Sequence, residues 1–263
     1  MMDAAFPMRL GVSTYKSGFC FFITSYKQYH IMKNAKWLLP LTILIISSCK
    51  KEEVRQLDTS YNPEILAANF SNSTVVDNPY FPLEMGKKYI YEGQTEDGFE
   101  RIEIQRLPTT KTVLGIACAV VNDKVWIDGK LVEDTDDWYA QDNAGNVWYM
   151  GEYVTDYNPD GSVKDHHGSW EAGIDGAKPG INMLAVPQVG MAYRQEYYFN
   201  EAEDEAEVIE IGLTVTLALG TYTNCIKTRE WTDLEPDAIG YKTYAPGIGI
   251  VKDGDAVVLV EIQ

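Results

Sequence analysis

The chain has 263 residues, 45% of them hydrophobic and 12% aromatic, with 39 acidic side chains against 22 basic ones. That length allows one large β domain or two small ones. A formal net charge of −17 and a pI near 4.5 exclude the electrostatic footprint of a nucleic-acid-binding protein and repel anionic lipid headgroups.

In chain order, the first feature is a secretory signal. Lys33 and Lys36 precede an apolar run over 37–46, followed by Ser47, Ser48 and Cys49. The run is about half the ~20 residues a membrane-spanning helix needs. Ile46-Ser47-Ser48-Cys49 resembles the lipobox of bacterial lipoproteins. The resemblance implies cleavage before Cys49 and acylation of its thiol. Two or more acyl chains anchor stably where one does not, each buried methylene adding about 0.8 kcal/mol. The signal then spans 32–48, beginning at Met32, and residues 1–31 read as an upstream extension from a start codon assigned too early. The chain after residue 48 carries 17 basic and 38 acidic side chains, a net charge of −21. The expected location is the cell envelope, lipid-anchored to the outer membrane and either periplasmic or surface-exposed. Lys50-Lys51-Glu52-Glu53 partly resembles a surface-export signal.

Residues 49–77 read as a flexible tether, rich in Ser, Asn, Asp and Thr over 58–77, with one short helical candidate at 63–70. From Asn78 the texture changes to short aromatic and β-branched runs, split by Gly, Pro, Asn and Asp. Expected strands are 88–92, 99–106, 112–121, 124–127, 130–133, 137–141 and 146–154, with Asp128-Gly129 as a two-residue hairpin turn. Ile209, Ile211, Leu213, Val215 and Leu217 then alternate with Glu210, Gly212, Thr214 and Thr216, which predicts a strand with one buried face. Residues 222–231, 241–244, 248–251 and 256–262 complete the set, with Asp253-Gly254 as the last turn. No long window has helical periodicity. Residues 78–263 are therefore expected to form an all-β domain: a single antiparallel, strongly curved sheet, barrel or sandwich, of about a dozen strands.

Asn78-Pro79-Tyr80-Phe81-Pro82-Leu83 and Tyr91-Glu92-Gly93 are similar to the opening of a group of bacterial envelope lipoproteins. The resemblance runs on through Gly145-Asn146-Val147-Trp148-Tyr149, with Gly151-Glu152, then Gly168-Ser169-Trp170-Glu171-Ala172-Gly173 and Tyr244-Ala245-Pro246-Gly247-Ile248-Gly249. It covers nearly all of the domain. The closing motif also occurs in lipoproteins with curved antiparallel sheets similar to the carriers that ferry lipoproteins. The resemblance implies fold and location but no reaction.

Several constellations carry chemistry. Asp156, Asn158 and Asp160, followed by Gly161, match the first half of a calcium loop, where oxygen ligands recur at every second residue. Against this, His167 stands where a bidentate Glu belongs, and Asn158-Pro159-Asp160-Gly161 is also an ordinary turn sequence. Ca2+ is thus the only cofactor the sequence offers. His166 and His167 read as exposed turn residues, since adjacent strand positions face opposite sides. Cys118 and Cys225 either pair as a disulfide or pack as small buried thiols. No catalytic nucleophile motif is present. Glu152 with Glu171 is the best carboxylate pair for a hydrolase.

Trp138, Trp148 and Trp170, with Glu152, Glu171 and Arg194, fit a site for a small amphipathic or glycan ligand on a concave sheet. Packing in a wide sheet is the plainer account of such rings, since Trp and Tyr are good strand residues. The functional expectation is a lipid-anchored, non-enzymatic envelope protein that binds such a ligand. The alternative is a structural or assembly lipoprotein that contacts a partner envelope protein, and a carboxylate-dependent hydrolase is a third reading. Its contact with the membrane runs through the N-terminal lipid, and it has no nucleic-acid partner.

Overall fold

The computed structural model describes residues 55–263. The expected upstream extension 1–31, the signal 32–48, Cys49 and the first tether residues lie outside the described residues. One 3-10 turn (Ala67–Asn69) precedes fifteen strands. A first meander consists of β1 (Lys88–Thr95), β2 (Gly98–Val113), β3 (Ile116–Ile127), β4 (Lys130–Gln141) and β5 (Val147–Tyr157). Five short strands follow: β6 (Val163–Asp165), β7 (Trp170–Glu171), β8 (Lys178–Met183), β9 (Ala192–Arg194) and β10 (Glu196–Tyr197). A second meander closes the chain with β11 (Asp204–Leu217), β12 (Gly220–Thr232), β13 (Ile239–Ala245), β14 (Gly249–Asp253) and β15 (Val257–Ile262).

The domain is all-β, one antiparallel sheet nearly closed into a barrel. The strands run in the order β10-β8-β5-β4-β3-β2-β1-β15-β14-β13-β12-β11-β9, with β6 and β7 beside β5. First and last strands pair, Tyr89 opposite Ile262, which joins the two meanders. The two ends of the path, β9 and β10, are neighbours in the chain separated only by Gln195. Residues 192–194 pair with β11, and 196–197 pair with β8. The Gln195 amide donates to the Asp204 carbonyl at 2.7 Å. One extended segment therefore serves both edges and removes the open edges that a flat sheet would expose.

Several boundaries differ from those expected, each for a local reason. The stretch 112–121 is not one strand, because Leu114 and Gly115 form a two-residue turn with φ of 50° and 78°. Leucine carries no turn preference, whereas Asp128-Gly129 adopts the same left-handed pair (φ 49° and 76°) with a sequence that announces it. The acidic run 133–137 reads like a loop but lies inside β4. Glu133, Thr135 and Asp137 are buried, while Asp134 and Asp136 accept hydrogen bonds from Asn122 at 2.7 and 3.0 Å. In β11 the alternation is broken by bulges around Ile211 and Leu213. Ala206 and Val208 are buried, Ile211 is exposed, and Leu213, Val215 and Leu217 are only half-buried, so the expected single buried face is not continuous.

Residues 55–77, the described part of the expected tether, lie along the barrel. Phe70 is buried edge-on to Trp148, the Ser73 hydroxyl donates to Ala117 O at 2.6 Å, and the Gln141 amide donates to Ser73 O at 2.9 Å. The polar residues of this segment make bonds to backbone here. Just beyond, Phe81 packs edge-on against Tyr139, and the Gly247 amide donates to Pro79 O at 2.7 Å. The two motifs that begin and end the family resemblance thus touch and plug one end of the barrel. The opposite end is ringed by the turn at 95–98, the segment before β13 and the turn between β14 and β15.

A Cβ on Gly180 would stand 2.3 Å from the Gln195 carbonyl carbon and oxygen and 2.5 Å from the Arg194 oxygen. Here β8 crosses the closing segment at backbone contact. Gly180→Ala should cost about 3 kcal/mol, at the upper end of overpacking effects because backbone must move. Urea unfolding measures it, and an unchanged midpoint would show that the closure yields freely.

Candidate functional site

The inward face changes character along the barrel axis. Near the plugged end it is apolar: Tyr89, Tyr91, Ile104, Val121 and Ile250 surround the plug residues. Further along it turns acidic. Asp123, Asp137, Glu152 and Glu196 are buried, and among the described residues Lys242 is the one buried basic side chain. Lys242 pairs with Glu230 at 2.8 Å. Asp137 stands directly opposite Glu152, and Glu152 opposite Trp170, so all three share the inner face. The Tyr149 hydroxyl donates to Asp137 Oδ1 at 2.5 Å, and Trp170 Nε1 donates to Glu196 Oε2 at 2.8 Å. Tyr139 and Tyr149 stack at 4.9 Å beside them. Among the described residues Asp123 Oδ1, Asp137 Oδ2, Glu196 Oε1 and both oxygens of Glu152 lack a hydrogen-bond partner in good geometry, though the Tyr149 hydroxyl stands near Glu152. A central void of about 10 Å³ between Tyr139, Tyr149, Glu196 and the Glu230–Lys242 pair has room for about one water.

Unpaired carboxylates in such surroundings hold their protons. Burial, then the charges of Asp137 and Glu133, pushes Asp123 well above the usual carboxylate range. Burial and neighbouring Glu196 do the same to Glu152. Glu196 is raised by burial and Asp204, against the Trp170 bond. Asp137 rises to about 7, burial outweighing the Tyr149 hydrogen bond. At the open end a chamber of about 390 Å³ is walled by Asp97, Glu100, Asp237, Asp253 and Asp255 together with Ala256 and Val257. Asp253 is lifted to about 6 by burial, offset in part by Lys242.

The residues expected to bind ligand do not form one site. Glu152 and Trp170 face the interior. Glu171 lies opposite Gly151, on the other face of the sheet, where it pairs with Lys111 at 2.9 Å. Lys111 also sits 4.6 Å over the Trp138 ring. Glu152 and Glu171 therefore cannot flank one scissile bond. Trp148 donates to Asp142 at the plugged end, and Arg194 lies over the rings of Tyr61 and Tyr197.

In the calcium-like segment, Asp160 accepts from the Ser162 amide and hydroxyl, Asp156 pairs with Lys164 at 3.2 Å, and Asn158 donates to Ser162. This is a hairpin turn. Among the described residues no three His, Cys, Asp or Glu side chains are grouped to hold a metal. His166 stacks on Tyr153, and Cys118 and Cys225 are free and buried. Burial pushes the Cys118 thiol up to about 12.

No protein-family model and no curated protein matches the chain. Among solved structures, a "putative lipoprotein" from Parabacteroides distasonis ATCC 8503 is similar at 14% identity, over 71% of this chain and 99% of that one, with a TM-score of 0.37. Among the described residues no helix is long and apolar enough to cross a membrane.

The acidic interior escaped the sequence reading, although a cue exists. Glu100 shares the parity of Ile102 and Ile104, Asp123 that of Val121 and Val125, and Asp137 that of Tyr139. A carboxylate in phase with inward apolar residues is a buried carboxylate.

Asp123, Asp137, Glu152, Glu196 and Asp253 titrate higher folded than unfolded, so the folded state binds more protons between roughly pH 4, the ordinary carboxylate range, and the raised folded values. Their stability contribution is complete below that range and is lost as pH rises through 6 to 7, where Asp253 and Asp137 ionise. The melting temperature should therefore fall from pH 5 to pH 8. Glu152→Gln should raise it more at pH 8 than at pH 5. Calorimetry across that range checks both, and stability that climbs with pH would contradict the assignment.

Proposed function

We propose that this protein is a lipid-anchored cell-envelope protein that binds a small amphipathic ligand in the chamber at the open end of its barrel. The observation that carries the reading is the chamber itself. Its volume, about 390 Å³, lies within the usual range for small-molecule sites, about 300–1,000 Å³. Its walls combine carboxylates with Ala256 and the buried Val257, whereas Ile239 and Tyr241 reach it by backbone and turn their side chains to the outer face, the Tyr241 ring lying 4.7 Å from Lys227 Nζ. Carboxylates accept hydrogen bonds from hydroxyl or ammonium groups, and Ala256 and Val257 offer an apolar frame a small contact surface. An amine-bearing or hydroxyl-rich amphipath meets both demands. The lipobox at 46–49 supplies the anchor. A hydrolytic role loses its best carboxylate pair, because Glu152 and Glu171 face opposite sides of the sheet.

Exposed Ile211 and Leu219, on the outer part of the β11–β12 hairpin, favour a second reading in which the protein contacts a partner envelope protein. A stoichiometric partner recovered from envelope extracts, lost on Ile211→Ser with Leu219→Ser, would support that reading.

Two measurements test the main proposal. Calorimetric titration with a long-chain alkylamine and with a neutral alkyl glycoside should show binding of at least one. Asp97→Asn with Asp255→Asn should weaken that binding about tenfold, consistent with loss of charge-assisted hydrogen bonds. No binding of either probe argues against the chamber. Independently, the protein should incorporate labelled palmitate, and Cys49→Ser should abolish labelling and release the protein from the membrane fraction.

A further inference from the structure

The closure is one of the two shortest lateral joints in the barrel, and, unlike in the β14–β15 hairpin, the other one, no turn of the chain ties its two strands together. Only two residue pairs join β10 to β8: Glu196 opposite Pro179 and Tyr197 opposite Lys178. Pro179 has no amide hydrogen to offer the ladder. On the other side β9 meets β11 over three pairs. A joint this short opens at lower free energy than the long hairpins of β2–β3 or β11–β12. Directly behind it lie Gln195 and Glu196, which line the central void. Opening the joint would expose the unpaired carboxylates to solvent.

Residues 55–61 run across this joint and bind both of its sides. The Tyr61 hydroxyl donates to Pro179 O at 2.8 Å, and Lys178 Nζ bonds the Tyr61 carbonyl. The Asp58 amide donates to the Tyr197 hydroxyl at 2.6 Å. The Tyr61 ring meets Tyr197 edge-on at 5.7 Å, and the Arg194 guanidinium lies 5.5 Å from the first ring and 4.8 Å from the second. Arg194 also pairs with Asp58 at 3.4 Å and with Glu205 at 3.2 Å. Arg55 completes the set by pairing with Glu203, just before β11. The segment thus links β8, β9, β10 and the approach to β11. Burial raises the Tyr61 hydroxyl to about 12, so it stays a hydrogen-bond donor over the whole physiological range.

We propose that residues 55–61 form a latch over the seam of the barrel, and that release of this latch is the route by which the acidic interior is opened to solvent and solutes. The latch follows closely on Cys49: the six residues from Cys49 to Arg55 span at most about 22 Å of extended chain. With the anchor proposed above, the seam side is the side of the barrel tied to the bilayer. The latch itself rests on the contacts just given and stands whether or not a lipid is attached or the chamber binds ligand.

The test uses the full chain and two local readouts. Hydrogen exchange should show amides of 178–183 and 192–197 opening about tenfold faster in Tyr61→Ala, which loses one hydrogen bond and one ring contact. Amides of β2–β4 should keep their wild-type rates. Coupling of an amine to carboxylates by carbodiimide, mapped by mass spectrometry, should newly label Glu196 while exposed Glu261 labels as before. Tyr61→Phe removes the hydroxyl alone and should give the same pattern at smaller amplitude, which keeps the test decisive if the alanine variant folds poorly. Unchanged exchange at the seam in Tyr61→Phe, or acceleration spread evenly over β2–β4, would overturn the latch. Loss of alkylamine binding without any change at the seam would instead count against the chamber alone.

Discussion

A sheet that closes on itself cuts the inward side chains at its middle off from bulk water, and here closure depends on six residues, 192–197, that serve two edges at once. Everything inside answers to that constraint. In an open sheet Asp123, Asp137, Glu152 and Glu196 would be ordinary solvated carboxylates. Enclosed, with Lys242 already engaged by Glu230, their charged forms are disfavoured by lost hydration and by one another. A group of acids that keep their protons near neutrality is the direct result. Among the described residues the Tyr149 hydroxyl is engaged by Asp137 and the Trp170 indole by Glu196, while the Thr228 and Tyr244 hydroxyls bond Glu230.

The same closure gives the barrel two unlike ends. At one end the chain before β1 folds back as a plug, Phe81 against Tyr139 and Pro79 against Gly247, so the cavity there is apolar and capped. At the other end, among the described residues, no segment folds over the strands in this way, and the turns that carry Asp97, Asp237 and Asp255 leave an acidic chamber. A ligand with an apolar frame and hydrogen-bond donors suits that end. The cost of leaving buried carboxylates unsatisfied is a feature of binding sites more than of cores built only for stability.

The segment between the proposed anchor and the barrel has a structural part. Its composition is that of a linker, yet Tyr61, Asp58 and Arg55 hold both sides of the seam and Phe70 and Ser73 dock on the wall. Short polar side chains satisfy backbone groups as readily as they solvate a loose chain.

The amino-acid sequence by itself determined the strand content, the main hairpin turn at Asp128-Gly129 and, among the described residues, the absence of long helices, and it carries at 46–49 a segment that resembles a lipobox. These are local matters, set by period-two alternation, by residues that tolerate left-handed backbone and by short contiguous motifs. The turn at Leu114 was not legible, because nothing about leucine asks for that geometry and only the pairing of β2 with β3 imposes it. The candidate site was less legible still. Trp138, Glu152, Trp170 and Glu171 lie close in sequence, and register alone sends Glu152 and Trp170 inward and Trp138 and Glu171 outward. The chamber gathers residues from 95–100, 237–241 and 253–257, and the void gathers residues from strands far apart in the chain. Tertiary structure decided these, because which side chains share an enclosed space depends on how a sheet curls and where it joins, and no local pattern encodes that.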